Sequence, residues 1–228
     1  MVKLVLLRHG ESTANKANVY TGWDDVALTE KGRKQAKMAG NLIKSITDFH
    51  PTHIHTSVLM RAIITANVVS DICNFLYLPI TKTWRLNERH YGNLRGINKD
   101  ESRKIFGKEQ VLEWRRGFYA VPPEGKKVTS RRYANFDSHF LPQAESLYQT
   151  QQRVMPYYYD NVASRLKKGE DQLIVAHGSS LRALIKKLEN IDDQEIINLE
   201  VPNAQPIVYI FDQQMNIVDK KILRCFSS

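Results

Sequence analysis

Val2-Lys3-Leu4-Val5-Leu6-Leu7-Arg8-His9-Gly10 begins with an almost unbroken apolar run and stops at a charged turn closed by glycine. A short run of this kind predicts a strand buried on both faces. The pattern returns far downstream in Val175-Ala176-His177-Gly178, where a second apolar stretch, 172–176, also ends in His-Gly. Strands buried on both faces belong to sheets covered by helices on each side. Ligands bind such sheets beyond the carboxyl ends of the strands, where the strand order reverses. The two His-Gly turns are therefore expected to meet at that place.

Between and around these segments the periodicity alternates. Thr29 can cap a helix running to about 46, with Ala36, Ala39, Leu42 and Ile43 as its apolar stripe. Residues 52–57 and 79–84 read as strands on either side of a helix at 59–73. Lys99–Phe106 and 109–118 are short helical pieces, followed by an irregular stretch through Pro122, Pro123 and Arg131. A long helix is expected over 145–166 and another over 179–188. Asp192 with Glu195 spells a capping box, and 205–211 and 217–223 complete the strands. No repeat or linker interrupts the chain. The expectation is one α/β catalytic domain over 1–228, a three-layer α/β/α sandwich with a mostly parallel sheet. A lid-like insertion occupies about 92–142, because so long an irregular stretch in a small domain is usually functional.

The chain has 228 residues, with 33 basic against 24 acidic side chains and a formal charge of +9. The excess points to an anionic partner. A nucleic-acid binder would concentrate Lys and Arg on one helix or tail, whereas here they are scattered in pairs such as Lys126-Lys127 and Lys186-Lys187, mostly solvated surface. No segment approaches the length of a membrane span, and the opening run is too short for a signal peptide. Two cysteines, Cys73 and Cys225, give no disulfide framework, and a reducing, cytoplasmic setting is expected. His50, His53 and His55 lack carboxylate or cysteine company, so strand and loop positions are favoured over a metal cluster. Tyr157-Tyr158-Tyr159 reads as core and rim packing, and Cys73 as a small buried apolar residue.

The chemistry concentrates at the two turns. Glycine after each histidine allows a sharp turn and close approach of its N–H to a ligand, and a helix start there favours phosphate. A histidine can attack phosphorus through one ring nitrogen if the other is held by a hydrogen bond. The second histidine, if protonated, would stabilise the phosphoryl oxygens, and the Arg8 fork could grip two of them.

Six segments carry a family resemblance: Leu-Leu-Arg-His-Gly-Glu-Ser at 6–12, Tyr-Thr-Gly-Trp at 20–23, Thr-Ser-Val-Leu-Met-Arg-Ala at 56–62, Leu-Asn-Glu-Arg-His-Tyr-Gly at 86–92, Trp-Arg-Arg-Gly-Phe at 114–118, and Ala-His-Gly-Ser-Ser-Leu-Arg-Ala at 176–183. With them the chain resembles the histidine phosphatase superfamily, and within it the phosphoglycerate mutases that depend on 2,3-bisphosphoglycerate. The resemblance implies a phosphoglycerate mutase-like fold and interconversion of 3- and 2-phosphoglycerate in glycolysis and gluconeogenesis, primed by 2,3-bisphosphoglycerate and without a metal. It implies that His9 becomes the phosphohistidine, with Arg8, Arg61 and His177 around the transferring group. Glu88 would be the general acid and base. Ser12, Asn15, Thr21, Gly22, Arg89, Tyr91, Lys99, Arg115, Arg116, Gly178 and Ser179 would bind the rest of the phosphoglycerate. A homodimer fits the resemblance, although no stretch of sequence marks an interface.

Three departures stand out. Ser179 occupies a position where the mutases usually have Asn, the 126–141 stretch is short, and no Lys/Ala/Gly-rich tail follows the last strand. They predict a leakier site, with more water reaching the phosphohistidine. Two rivals follow: a phosphomonoester phosphatase of the same superfamily, and a non-catalytic phosphate- or nucleic-acid-binding module. Glu88 with Arg115-Arg116 argues against the first, and the paired reactive histidines against the second.

Overall fold

The computed structural model describes residues 1–224, apart from the side chain of Ser138, so Cys225 lies outside the described residues. The chain runs β1 (Val2–Arg8), α1 (Thr13–Lys16), α2 (Glu30–Lys44), β2 (Pro51–Thr56), α3 (Met60–Ile72) and β3 (Ile80–Lys82). It continues through α4 (Lys99–Phe106), α5 (Lys108–Arg116), α6 (Leu147–Tyr157), α7 (Ser164–Leu166), β4 (Asp171–Ala176) and α8 (Gly178–Leu188), and ends with β5 (Ile207–Phe211) and β6 (Ile217–Ile222).

The strands form one sheet in the order β3-β2-β4-β1-β5-β6, with β1, β2, β3 and β4 parallel and β5 antiparallel to β1 and β6. The period of two in β1 decides the layers. Leu4 and Leu6 pack with Leu181, Leu184 and Val154 on one side, whereas Val5 and Leu7 pack with Ala39, Ile43, Ala66 and Val69 on the other. Thus α6 and α8 cover one face and α2 and α3 the other, the expected three layers. All four β1 side chains are fully buried, each contributing roughly 2 kcal/mol by removal from water.

Thr29 caps α2 by accepting from Gly32 N–H, as its hydroxyl predicts. The expected long helix over 145–166 departs from α geometry: Pro156 lies in its middle, and a π-helical stretch, Tyr158–Ala163, separates α6 from α7. A proline there removes a backbone donor, and a wider turn absorbs the gap. The expected capping box at Asp192 does not form. Asp192 Oδ1 accepts from Gln194 N–H at 2.8 Å, and a 3₁₀ turn starts at Glu195 without a side-chain cap.

Because β1 and β4 are paired in parallel with Arg8 opposite Ala176, the chain places His9 and His177 side by side at their carboxyl ends. Connections leave this central pair toward both edges of the sheet, the topological position at which ligands bind.

Candidate active site

His9 is 2% exposed and its ring centroid lies 5.0 Å from that of His177. Its Nδ1 is 2.7 Å from the carbonyl oxygen of Gly10. A carbonyl only accepts, so Nδ1 carries the proton and Nε2 keeps the lone pair. Burial, then Arg61 and Arg8, hold its pKa well below the usual value, so the ring stays neutral and nucleophilic at physiological pH. Asn203 Nδ2 donates to the His9 carbonyl at 2.7 Å, fixing the strand end from the opposite side.

The glycine after His9 serves packing rather than a turn. Gly10 and Gly178 are absent from the positive-φ positions, but a Cβ on Gly10 would lie 2.2 Å from the Gly32 carbonyl oxygen. Close approach of α2 therefore requires glycine at both positions. At Gly178, a Cβ would sit 3.5 Å from Arg8 Nε and 3.6 Å from Glu88 Oε2, which locates the guanidinium and the carboxyl together over the start of α8.

His177 is fully buried and caps β4 into α8. Its Nε2 lies 2.7 Å from Ser57 Oγ, and its Nδ1 is buried without a partner. Burial, then Arg61, His9 and Arg8, hold its pKa well below the usual range. These surroundings favour the neutral ring before a phosphoryl group arrives.

Arg61 extends from α3 and donates to the carbonyls of Asp24 and Gly22, both at 2.8 Å, with burial lowering its pKa to about 10. Arg8 donates through Nη1 to the Val201 carbonyl at 2.8 Å, and its Nε is buried without a partner. Glu88 Oε1 accepts from the backbone N–H groups of Arg89 and Ser179, each at 2.9 Å. Both bonds fall on one oxygen, leaving Oε2 beside Gly178 and Arg8.

Two adjoining cavities result, sharing four lining residues. The inner one, about 50 Å³, is lined by Arg8, His9, Asn15, Thr21, Gly22 and Arg61 together with Glu88, Tyr91 and Lys99. The outer one, about 190 Å³, shares Arg8, Glu88, Tyr91 and Lys99 and adds Arg115, Arg116, Gly178, Ser179, Arg182 and Glu200. Five cationic side chains against two carboxylates line the outer cavity, a setting for a polyanion rather than an apolar ligand.

The family model of the histidine phosphatase superfamily (branch 1) matches residues 4–221. The chain belongs to the histidine phosphatase superfamily. It is 64% identical over 224 residues, 98% of each chain, to 2,3-bisphosphoglycerate-dependent phosphoglycerate mutase 2 of Lactobacillus johnsonii. It is 51% identical to mutase 1 of the same description from Latilactobacillus sakei, over 96% of this chain and 94% of that one. Among solved structures, a mycobacterial glucosyl-3-phosphoglycerate phosphatase superposes with a TM-score of 0.71 at 25% identity, covering 92% of this chain and 93% of that one.

Within this histidine phosphatase chain, most of the expected residues line the cavities, but three do not: His177, fully buried beside His9, and Ser12 and Arg89. Ser12 is a buried cap of α1, accepting from Asn15 N–H while its own N–H donates to Asn15 Oδ1, so it sets Asn15 rather than facing the cleft. Arg89 lies behind the wall: it sits 4.8 Å from the Tyr91 ring centroid and donates to the Arg115 carbonyl at 2.8 Å. Ser179 keeps a contact at 3.2 Å, between its Oγ and Tyr91 OH. Burial would raise the Tyr91 pKa, but Arg89 and its hydrogen bonds outweigh this and lower it. Lys99 is shifted down by burial, partly offset by Tyr91.

Arg182 was not anticipated, although it stands in the quoted 176–183 segment. It lines the outer cavity, and burial, then Arg89 and Arg116, bring its pKa to about 9. It donates to the carbonyls of Arg116 at 2.9 Å and Ile196 at 2.6 Å, bracing the end of α5. Arg116 also pairs with Glu200 and donates to the Leu199 carbonyl.

His53 and His55 are structural. His53 bonds Thr81 Oγ1, and His55 bonds both Tyr157 OH and Gln172 Oε1. Tyr157 and Tyr158 are buried while Tyr159 is half exposed. Cys73 is buried, with its thiol raised to about 11 by desolvation. Among the described residues no helix is long and apolar enough to cross a membrane, and no group of metal-ligating side chains comes together.

Proposed function

We infer that the chain interconverts 3-phosphoglycerate and 2-phosphoglycerate through a phosphohistidine at His9, as one catalytic unit whose 92–142 segment covers the substrate. The observation that carries this reading is the paired cavity, with a neutral, lone-pair Nε2 in the inner part and five cations in the outer part. The names of the close relatives support the same reaction.

A phosphoglycerate carries a phosphate and a carboxylate, so one anion can enter the inner cavity while Arg115, Arg116, Arg182 and Lys99 hold the remainder. His9 Nε2 attacks phosphorus, the Nε2–P bond forms and the ester P–O bond breaks. The leaving oxygen takes its proton from Glu88 Oε2, the oxygen not occupied by backbone donors. From loaded His9 the transfer to a phosphoglycerate comes first: its free hydroxyl attacks phosphorus as the Nε2–P bond breaks, Glu88 takes the hydroxyl proton, and His9 then removes the other phosphate by the step above. Arg8 and Arg61 flank the charge throughout.

The donor set fits 2,3-bisphosphoglycerate: Arg8 Nε and Arg182 Nε are buried N–H groups without protein partners, on two residues that line the cation-rich outer cavity. When bound, this molecule supplies the phosphoryl group that loads His9. Arg8, Lys99, Arg115, Arg116 and Arg182 would hold it. Phosphoglycerates are the small-molecule partners in this reading, the cytoplasm is the setting, and a homodimer is the assembly to test by light scattering.

The deciding experiment follows 3-phosphoglycerate conversion with and without added 2,3-bisphosphoglycerate, in excess chelator, for the native chain and His9→Ala. Expected is chelator-resistant turnover that needs the bisphosphate and disappears with His9, together with covalent phosphate labelling. Phosphate release without isomerisation would assign the chain to phosphomonoester hydrolysis instead.

A further inference from the structure

Ser57 is a fully buried residue that links α3, which supplies Arg61 to the inner cavity, to the start of α8. It follows β2, and its Oγ accepts from the N–H of Leu59 at 3.1 Å, at the start of the helix that carries Arg61. The same Oγ lies 2.7 Å from His177 Nε2, at the start of α8. The hydroxyl hydrogen must go somewhere, because a buried donor left unmade is costly. Among the described residues the His177 Nε2 lone pair is the acceptor within reach, since the Leu59 N–H is itself a donor.

We propose that Ser57 is a positioning residue that fixes the tautomer of His177: its hydroxyl donates to Nε2, leaving the proton on Nδ1 as a preset hydrogen-bond donor to the transferring phosphoryl group. This rests on the mutase reading for its catalytic consequence, though not for the tautomer itself. Three observations converge on it. Nδ1 is buried without any protein partner, in a chain where the other inner-site histidine has its Nδ1 satisfied by a carbonyl. His177 stands edge-on to the nucleophile at 5.0 Å between ring centroids. The neutral ring is favoured by its surroundings, so a donor must come from tautomer choice rather than from an added charge.

The arrangement divides labour between the histidines. A backbone carbonyl puts the His9 proton on Nδ1 and frees Nε2 to attack. A serine hydroxyl does the equivalent for His177, but there Nε2 is the occupied atom and Nδ1–H the free one. One ring therefore offers a lone pair and the other an N–H, with Ser57 holding the second in register through the Leu59 turn. An imidazolium at rest would carry hydrogens on both nitrogens, and the Ser57 hydroxyl would then lose its acceptor.

The test is spectroscopic first. In uniformly ¹⁵N-labelled protein near pH 7, long-range ¹H–¹⁵N correlations identify the imidazole tautomers, and His177→Gln assigns the signal by its disappearance. Expected is the Nδ1–H form for His177, replaced in Ser57→Ala by a mixture or by the Nε2–H form. Kinetically, Ser57→Ala should slow His9 phosphorylation by about 10- to 100-fold with KM changed little, the size of loss typical of partners that orient metal-bound imidazoles. Ser57→Thr, which keeps the hydroxyl, should restore the tautomer. A native His177 found as Nε2–H or as imidazolium would overturn the proposal, as would an unchanged His177 spectrum in Ser57→Ala. The tautomer is read without substrate, so absence of mutase turnover with the Nδ1–H form present would count against the mutase reading alone.

Discussion

Arg153 and Glu145 form a buried ion pair, Nε to Oε1 2.6 Å, built around the backbone that carries Glu88. Arg153 Nη1 donates to the carbonyls of Arg85 at 2.7 Å and Asn87 at 3.1 Å, and Nη2 donates to that of Glu88 at 2.9 Å. Glu145 Oε2 accepts the His90 N–H at 2.8 Å, and Trp23 Nε1 donates to the Glu88 carbonyl at 2.7 Å. The backbone of Glu88, the proposed acid/base, is thus held by a frame whose side chains line neither cavity.

Removing one member should separate stability from positioning. Arg153→Met strands the Glu145 carboxylate in the interior, at a cost of about 3–5 kcal/mol and about 10 °C or more in Tm. Adding Glu145→Gln should recover most of that stability, because the unpaired charge is gone. The carbonyls of Arg85 and Asn87 still lack their donor, so kcat should stay about 10- to 100-fold down in the double variant. Thermal unfolding and steady-state kinetics on both variants check this. A stable double variant with native kcat would show that Trp23 and Glu145's neighbours position Glu88 unaided.

Acid sensitivity follows from the buried histidines. His55 and His90 are brought from 6.5 to about 4, in each case chiefly by burial, and His9 and His177 shift the same way. Below 6.5 the unfolded chain binds protons that the folded chain refuses, so stability is complete above that pH and is lost as pH falls toward 4. Each of His55 and His90 accounts for on the order of 3 kcal/mol across that window. Urea unfolding at pH 7, 6 and 5 should show the free energy falling by at least about 4 kcal/mol from the first to the last. A flat profile would mean that these rings open to water before they protonate.

The sheet and its two histidine turns were legible because their signals are local: an apolar run of fixed period, and a motif at its end. The same is true of Thr29, whose cap partner is three residues away. What escaped reading has partners far along the chain that carry no signature. Arg182 donates to carbonyls 66 and 14 residues away, Arg153 to one 65 away, and Ser57 meets His177 across 120. Any polar side chain can donate to a carbonyl, so neither spacing nor residue type announces such a bond. Ser12 shows the converse, a motif residue whose side chain caps α1, while Arg89 lies outside both cavity linings with its Nε and Nη1 buried and unpartnered.

Gly32 is a sharp test of how α2 seats the nucleophile loop. A Cβ there would lie 2.0 Å from the Glu11 carbonyl oxygen, backbone against backbone, with no flexible atom to yield. Gly32→Ala should destabilise by roughly 1–3 kcal/mol and displace the 9–11 turn. Both Tm and the rate of His9 labelling should fall. Native values for both would mean that α2 backs away without disturbing His9.

Arg182 offers the means to ask whether the cover over the outer cavity excludes water. Its guanidinium ties α8 to the end of α5 through the Arg116 carbonyl and to the 3₁₀ turn through Ile196, while Arg116 is held from the other side by Glu200 and Leu199. Arg182→Met removes a cation from the cavity and unfastens α5 at once. Loss of a charge-assisted contact of about 1.5–3 kcal/mol should raise KM for phosphoglycerate about 10- to 100-fold. Loosening the cover should also let water compete for the phosphohistidine, so phosphate released per isomerisation should rise. The two effects are separable by measuring product ratio at saturating substrate. A higher KM with an unchanged ratio would assign Arg182 to charge alone, and would place the barrier to water in the Arg116–Glu200 pair instead.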